Sequence, residues 1–294
     1  MSSAQPPPHP HVGIVGLGLI GGSLGLALRA AGYRVTGFAR KATVRQQAHQ
    51  MGAVDESVTT LEAVSRADIV VLAVPVLATE PVLRGLVPHL PRGTIVTDVA
   101  STKATVQTWA ARHLPDGVLF VGGHPMAGKE TAGIGAADSA LFQGRTWCIV
   151  PPPYGDADAV ATVTQMAEAT GAIPCQMDAV AHDEAVAATS HVPFLLATTL
   201  AHATLGRPDW PTLRPLASSG LHDTTRLASG DPTMHRDICA TNRTAIIRQL
   251  ALASERLADV TELLRQEDDV ALLAYFEQIK AWRDTWIAER AHPA

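Results

Sequence analysis

One stretch near the start of this chain restricts its possible folds more than any other. Val12-Gly13-Ile14-Val15 is a short apolar run that leads straight into Gly16-Leu17-Gly18-Leu19-Ile20-Gly21. Gly22 and a Leu- and Ala-rich segment from Ser23 to Ala31 follow, Gly32 stops that segment, and Arg34 to Phe38 forms a second strand pattern. Strand, glycine turn, helix and strand in that order are the setting in which G-x-G-x-x-G signals a dinucleotide site; outside it, such glycines are only a flexible loop. The reasons are physical. Gly16 permits the tight turn, Gly18 lets backbone approach a pyrophosphate at the positive end of the helix dipole, and Gly21 lets the helix pack on the strand. Leu19 and Ile20, inside the turn, belong to the same cofactor site.

The end of the second strand bears on which dinucleotide fits. NAD sites usually place a carboxylate there, hydrogen-bonded to the ribose. This chain has Ala39-Arg40-Lys41-Ala42-Thr43 instead. No carboxylate is present to repel a 2′-phosphate, Arg40 can pair with one, and Thr43 can donate to it. NADP is therefore favoured, with NAD still possible. The competing reading makes Arg40 and Lys41 ordinary solvated charges.

Further strand patterns follow at α/β spacing: Ile69 to Val74, Thr94 to Val99, Val118 to Val121, Thr146 to Val150 and Ala172 to Met177. The first of these is apolar throughout, as expected of a strand buried on both faces. Its end, Val74-Pro75, places the next loop beside the cofactor. In open α/β sheets, ligands bind beyond the carboxyl ends of the strands. The glycine turn, Pro75, Ser101 and His124 all lie at such ends. His124 sits in Gly122-Gly123-His124-Pro125-Met126-Ala127-Gly128, which reads as a glycine-flanked turn. Alone, that turn holds an incidental histidine; its shared location makes His124 a candidate proton acceptor.

After Asp178, a plausible helix N-cap, the pattern becomes helical. Pro193 within Ser190-His191-Val192-Pro193 predicts a kink that leaves the Thr189 carbonyl unpaired and turns Ser190 and His191 inward. A satisfied core histidine is the other reading of His191. In the polar segment Ala217 to Arg226, Arg226 suits a substrate carboxylate held in a bidentate pair, or else an ion pair with Asp223 or Asp231. Two long helical patterns close the chain, about 235–265 and 268–290. Ile246, Leu250, Ala253, Leu257, Val260 and Leu264 form an a/d seam, with Trp282 and Trp286 placed to pack on it. The fold expected is a mostly parallel Rossmann-type α/β domain followed by an all-α dimerisation domain: a disordered tail over 1–10, the nucleotide-binding domain over 11–177, and a helical substrate and dimerisation domain over 178–294, assembled as a homodimer.

Several classes are disfavoured. A net charge of −5 offers no basic face for nucleic acid or an acidic membrane. Cys148, Cys175 and Cys239 have neither metal-ligand spacing nor an even count, which suits a reducing cytoplasm. Met1 to Pro10 is polar and proline-rich, unlike a signal peptide, and no apolar run approaches the roughly 18 residues a spanning helix needs.

Five motifs stand in order: Gly16-x-Gly18-x-x-Gly21; Asp98-Val99-Ala100-Ser101-Thr102-Lys103; Gly123-His124-Pro125-Met126-Ala127-Gly128; Ser190-His191-Val192-Pro193; and Ser218-Ser219-Gly220-Leu221-His222-Asp223-Thr224-Thr225-Arg226. As a set they resemble the prephenate/arogenate dehydrogenases of tyrosine biosynthesis, from about Val12 to the end of the last helix. The Ala39-Arg40 strand end is most similar to the NADP-using arogenate branch.

The resemblance implies oxidative decarboxylation of prephenate, L-arogenate or both, to 4-hydroxyphenylpyruvate or L-tyrosine, without a metal. It implies that His124 takes the proton of the ring hydroxyl while hydride leaves the same carbon for the nicotinamide. Ser101 would hydrogen-bond that hydroxyl and orient His124, and His191 would position the substrate. Arg226 would hold a substrate carboxylate, with Glu130 and Asp223 in an ion network around it. Leu221 and His222 depart from the Phe and basic residue common in the family. Lys129 replaces a small residue, its amine meeting the substrate side-chain carboxylate or pointing to solvent. Any tyrosine feedback is expected at the active site itself. The rivals are a 3-hydroxyacid dehydrogenase or imino-acid reductase, against which the Gly-His-Pro-x-Ala-Gly motif speaks, and an NADP-sensing protein without turnover, which gives His124, Ser101 and Arg226 no reason to converge.

Overall fold

The computed structural model describes residues 9–153 and 156–291, so most of the expected 1–10 tail lies outside the described residues. Eight strands form one sheet: β1 (Val12–Val15), β2 (Val35–Phe38), β3 (Glu56–Val58), β4 (Ile69–Leu72), β5 (Ile95–Asp98), β6 (Leu119–Pro125), β7 (Thr146–Val150) and β8 (Ile173–Gln176). Their order is β3-β2-β1-β4-β5-β6-β7-β8. Every pairing is parallel except that of β6 with β7. Helices cover both faces, giving one core around Ile14, Leu24, Val71 and Trp147 and another around Val15, Val70, Leu83 and Phe120. That double burial is why β1 and β4 are apolar at nearly every position instead of alternating. Chain order reverses at β1, with β2 on one side and β4 on the other, which opens a crevice at the carboxyl ends.

Two elements differ from the sequence pattern. Strand β3 is three residues long and begins with the exposed Glu56, so it carries no apolar signal. Strand β6 continues through His124 and Pro125, where a turn was expected, because β7 pairs with it there: Gly122 with Val150, His124 with Cys148 and Pro125 with Trp147. Met126 N–H donates to Thr146 O on the β7 side, so residues 122, 124 and 126 face β7. Pro125 falls at an alternate position, where the ladder needs no donor from it.

In the helical half, the Asp178 carboxylate accepts from the N–H groups of Val180 and Ala181 and caps the helix Ala179–Val186 as the sequence predicts. The expected proline kink takes another form. A single π-helical turn, Ala187–His191, joins that helix to Val192–Leu205, and the Val192 N–H donates to Ala187 O five residues back. Pro193 offers no N–H to Thr189, and the chain widens by one residue in the turn before it. As a result His191 is buried while Ser190 is exposed, so only one of the two turns inward.

The single helix expected over 235–265 is divided into Pro232–Thr241 and Arg243–Arg265 at Asn242, whose ψ of 32° is not helical. A last helix spans Asp269–Ala291. The chain groups into two compact units, one ending at Ala245 and one starting at Ile246. In the second, Leu257 and Leu264 of the seam are exposed, as are Trp282 and Trp286, so the tryptophans are not packed away on it. The guanidinium groups of Arg283 and Arg290 instead lie over the Trp286 ring, 4.8 and 5.2 Å from its centroid. No helix among the described residues is long and apolar enough to cross a membrane.

Candidate functional site

The glycine turn fits a dinucleotide. Gly16 has φ +103°, and a Cβ there would stand 2.2 Å from the Ala73 carbonyl oxygen; at Gly21 it would stand 1.9 Å from Gly16 O. Both positions are closed to any side chain. At Gly18, by contrast, a Cβ would meet nothing within 4 Å, so this face of the turn borders open space. The helix Leu19–Ala30 begins there without a side-chain cap or an acidic residue in its first turn, which leaves its first N–H groups to an anion. Val74 lies against Gly16 and Pro75 is exposed. At the end of β2, Ala39 is buried while Arg40, Lys41 and Thr43 are exposed. Arg45 Nη1 donates to the carbonyls of Ala39 (2.6 Å) and Arg40 (3.0 Å), pinning the backbone from which the Arg40 side chain extends.

Beyond β5 the chain turns through Ala100 to Lys103 into the helix Ala104–His113. Asp98 and Lys103 form a buried ion pair under this turn. Asp98 also accepts from the N–H groups of Ala100 (3.0 Å) and Gly123 (3.2 Å), and Lys103 Nζ donates to Gly123 O (2.7 Å). Burial lowers the Lys103 pKa and the Asp98 charge opposes the shift. The pair ties β5 to the residue immediately before His124. Gly123 admits no Cβ, which would lie 2.6 Å from Asp98 O.

His124 is buried, and its Nδ1 lies 2.8 Å from His182 Nε2. The two rings meet edge to face, centroids 5.1 Å apart. Next, His182 Nδ1 lies 2.8 Å from Asp183 Oδ1. Burial holds the His124 pKa well below the ordinary histidine value, and His182, Lys103 and His191 push the same way. At neutral pH His124 is an uncharged imidazole and a competent proton acceptor. Burial also takes His191 to about 4, with the Asp183 charge opposing and His182 and His235 adding to the fall. Asn242 Nδ2 donates to His191 Nδ1 (3.2 Å) and to Asp183 O (2.7 Å).

The remaining predicted residues form an exposed group. Arg226 Nη1 donates to Glu130 Oε1 at 3.1 Å, so its partner is neither Asp223 nor Asp231. Asp223 accepts from its neighbour His222 at 3.0 Å and stays outside that pair. Lys129 is exposed, and its Nζ donates to Asp138 Oδ2 at 2.9 Å and lowers the Asp138 pKa. Ser101 is half-buried, and the His124 ring is hydrogen-bonded to His182. The sequence pattern missed His182, Asp183 and Asn242, and passed over Asp98 and Lys103 as parts of a motif. The available signals were an adjacent His-Asp pair just inside a capped helix and two opposite charges at the end of an otherwise apolar strand.

Two family models match this chain: the prephenate dehydrogenase nucleotide-binding domain over residues 24–174 and the prephenate dehydrogenase dimerization domain over 178–278. The prephenate dehydrogenase of Bacillus subtilis (strain 168) is 32% identical over 276 residues, covering 92% of this chain and 74% of that one. Synechocystis arogenate dehydrogenase has a similar crystal structure, with a TM-score of 0.85 at 32% identity over 94% of this chain and 99% of that one. Prephenate dehydrogenase from A. aeolicus, solved in complex with hydroxyphenyl propionate and NAD+, gives 0.88 at 27% identity over 97% and 99%.

Proposed function

The chain belongs to the prephenate dehydrogenase family, and on that premise we propose which of its groups carry the reaction and which cofactor they favour. It is a nicotinamide-dependent oxidoreductase that oxidatively decarboxylates prephenate or arogenate in tyrosine biosynthesis. These matches do not favour a hydroxyacid dehydrogenase, an imino-acid reductase or a non-catalytic sensor. The nicotinamide, when bound, accepts the hydride that leaves the ring carbon bearing the hydroxyl.

In this reading His124 takes the hydroxyl proton. The observation that carries it is a buried imidazole with one nitrogen engaged by His182, which leaves the other for substrate; burial, which lowers its pKa, keeps it uncharged near pH 7. Ser101, at the carboxyl end of β5, donates to or accepts from the same hydroxyl. His191 is a positioning residue held by Asn242. Arg226 exchanges Glu130 for a substrate carboxylate. Lys129, His222 and Asp223 flank the part of the substrate where prephenate and arogenate differ, a single keto or amino group that one or two contacts can discriminate.

NADP is the preferred cofactor, NAD a weaker alternative. What supports this is the uncharged Ala39 with exposed Arg40 and Thr43 at the end of β2. The two matched family segments support a nucleotide-binding domain over 11–177 and a substrate and dimerisation domain over 178–294. The exposed apolar side chains of the last helices suit a homodimer, working in the cytoplasm. The test is absorbance at 340 nm with prephenate and with arogenate, each with NADP and NAD. Reduction with at least one substrate, and a higher kcat/KM with NADP, is the expected outcome. No reduction in any combination overturns the assignment.

A further inference from the structure

We propose that His182 and Asp183 set the polarity of His124, fixing which of its ring nitrogens is bare. The inference rests on the reading of His124 as the base and deepens it. It starts from Asp183. Asp183 Oδ1 accepts from the backbone N–H of Lys103 at 2.7 Å, and Oδ2 from that of Ala104 at 3.0 Å. These are the first donors of the helix Ala104–His113, which has no side-chain cap of its own and no acidic residue in its first turn. Asp183 is therefore its cap, supplied from 80 residues away. Three hydrogen bonds hold this carboxylate in place.

The tautomers follow in sequence. A carboxylate only accepts, so the bond at 2.8 Å must be donated by His182 Nδ1–H. A neutral His182 then has a lone pair at Nε2. That lone pair faces His124 Nδ1 at 2.8 Å, so His124 must donate there and carry its proton on Nδ1. Its Nε2 is left unprotonated, the form a general base requires. The opposite tautomer would set two lone pairs against each other in a fully buried contact, since His182 is 0% exposed. Proton uptake at Nε2 then creates a positive charge connected through His182 to Asp183. His191 takes no part in this chain, because its partner is Asn242.

The experiment compares His182→Gln with His182→Leu and reads the tautomer directly. A glutamine can accept from His124 Nδ1 with its carbonyl and donate to Asp183 with its amide, whereas leucine can do neither. The expected result is a kcat within about tenfold of the original for His182→Gln and a loss of about 10²-fold or more for His182→Leu, with cofactor affinity unchanged in both; a wrong tautomer at a catalytic imidazole costs up to about 10⁴ elsewhere. In the unaltered protein at pH 7, ¹⁵N NMR of the His124 ring should show Nδ1 protonated and Nε2 bare. A protonated Nε2, or an unchanged kcat in His182→Leu, overturns the proposal. The NMR arm needs neither turnover nor a variant that folds. It can therefore fail while His124 remains the base, or hold while His124→Asn shows that another group is the base.

Discussion

The two ends of the proposed site are built from opposite materials. Around His124 the ionisable groups are buried and paired: His182 and Asp98 are 0% exposed, Lys103 1% and Asp183 5%. Around Arg226 they stand in water, with side-chain exposures of 58% for Arg226, 84% for Glu130, 79% for His222 and 76% for Asp223. Breaking a pair of the first kind leaves its partner buried and costs about 3–5 kcal/mol; breaking one of the second kind costs about 0–1 kcal/mol, because water competes for both groups. Proton chemistry is thus fixed when the chain folds. On the proposed assignment, recognition of the substrate side chain falls to the exposed end, where changes at Lys129 or His222 should have little effect on stability.

That contrast can be broken in three places. The largest effect belongs to the dry end: His124→Asn should lower kcat by about 10²- to 10⁴-fold, while NADP affinity, read by fluorescence titration, stays within about twofold. Retention of full turnover would put the base elsewhere. Next in size is an acid sensitivity of stability. The folded chain refuses a proton at His191 down to about pH 4, whereas the unfolded chain accepts one below about 6.5. Stability should therefore fall as pH drops through that window, by up to about 1.4 kcal/mol per pH unit for each proton withheld, with His124 adding to the same trend. Tm measured from pH 7 to 4.5 should decline, and a flat profile would mean the histidines are more hydrated than their burial implies. The smallest effect belongs to the wet end. Glu130→Gln should change stability by less than about 1 kcal/mol yet shift KM, since it frees Arg226 from its competing carboxylate. A stability loss of several kcal/mol there would remove the distinction between the ends.

What the sequence showed depended on how local each feature is. The glycine turn was legible because strand, turn and helix lie within Val12 to Ala31 and every physical requirement falls on adjacent residues. His124 was found by its place after a strand, but its own strand conformation was not, because the pairing that creates it comes from β7. His182 and Asp183 were missed for a stronger version of the same reason. Their roles exist only through contacts with His124 and Lys103, 58 and 80 residues away. Pro193 was recognised as a disturbance, but the π turn that precedes it, closed by the Val192 N–H to Ala187 O, was not. Arg226 is the opposite case: its charge was legible, whereas its partner Glu130 is 96 residues distant.

The outermost strands of the sheet carry one more consequence. On one side β3 is only three residues long. On the other, Ile173 and Met177 donate inward to Arg145 O and Ile149 O, so in strand β8 the outward-facing positions include Pro174. Proline has no N–H to offer a newcomer, and a short strand offers few. Neither border of the sheet is a template for stacking chain on chain into fibres. Copies of this protein that meet in a crowded solution are denied the most hazardous mode of contact and are left with the helices, where apolar groups such as Phe276, Ile279 and Trp282 stand exposed.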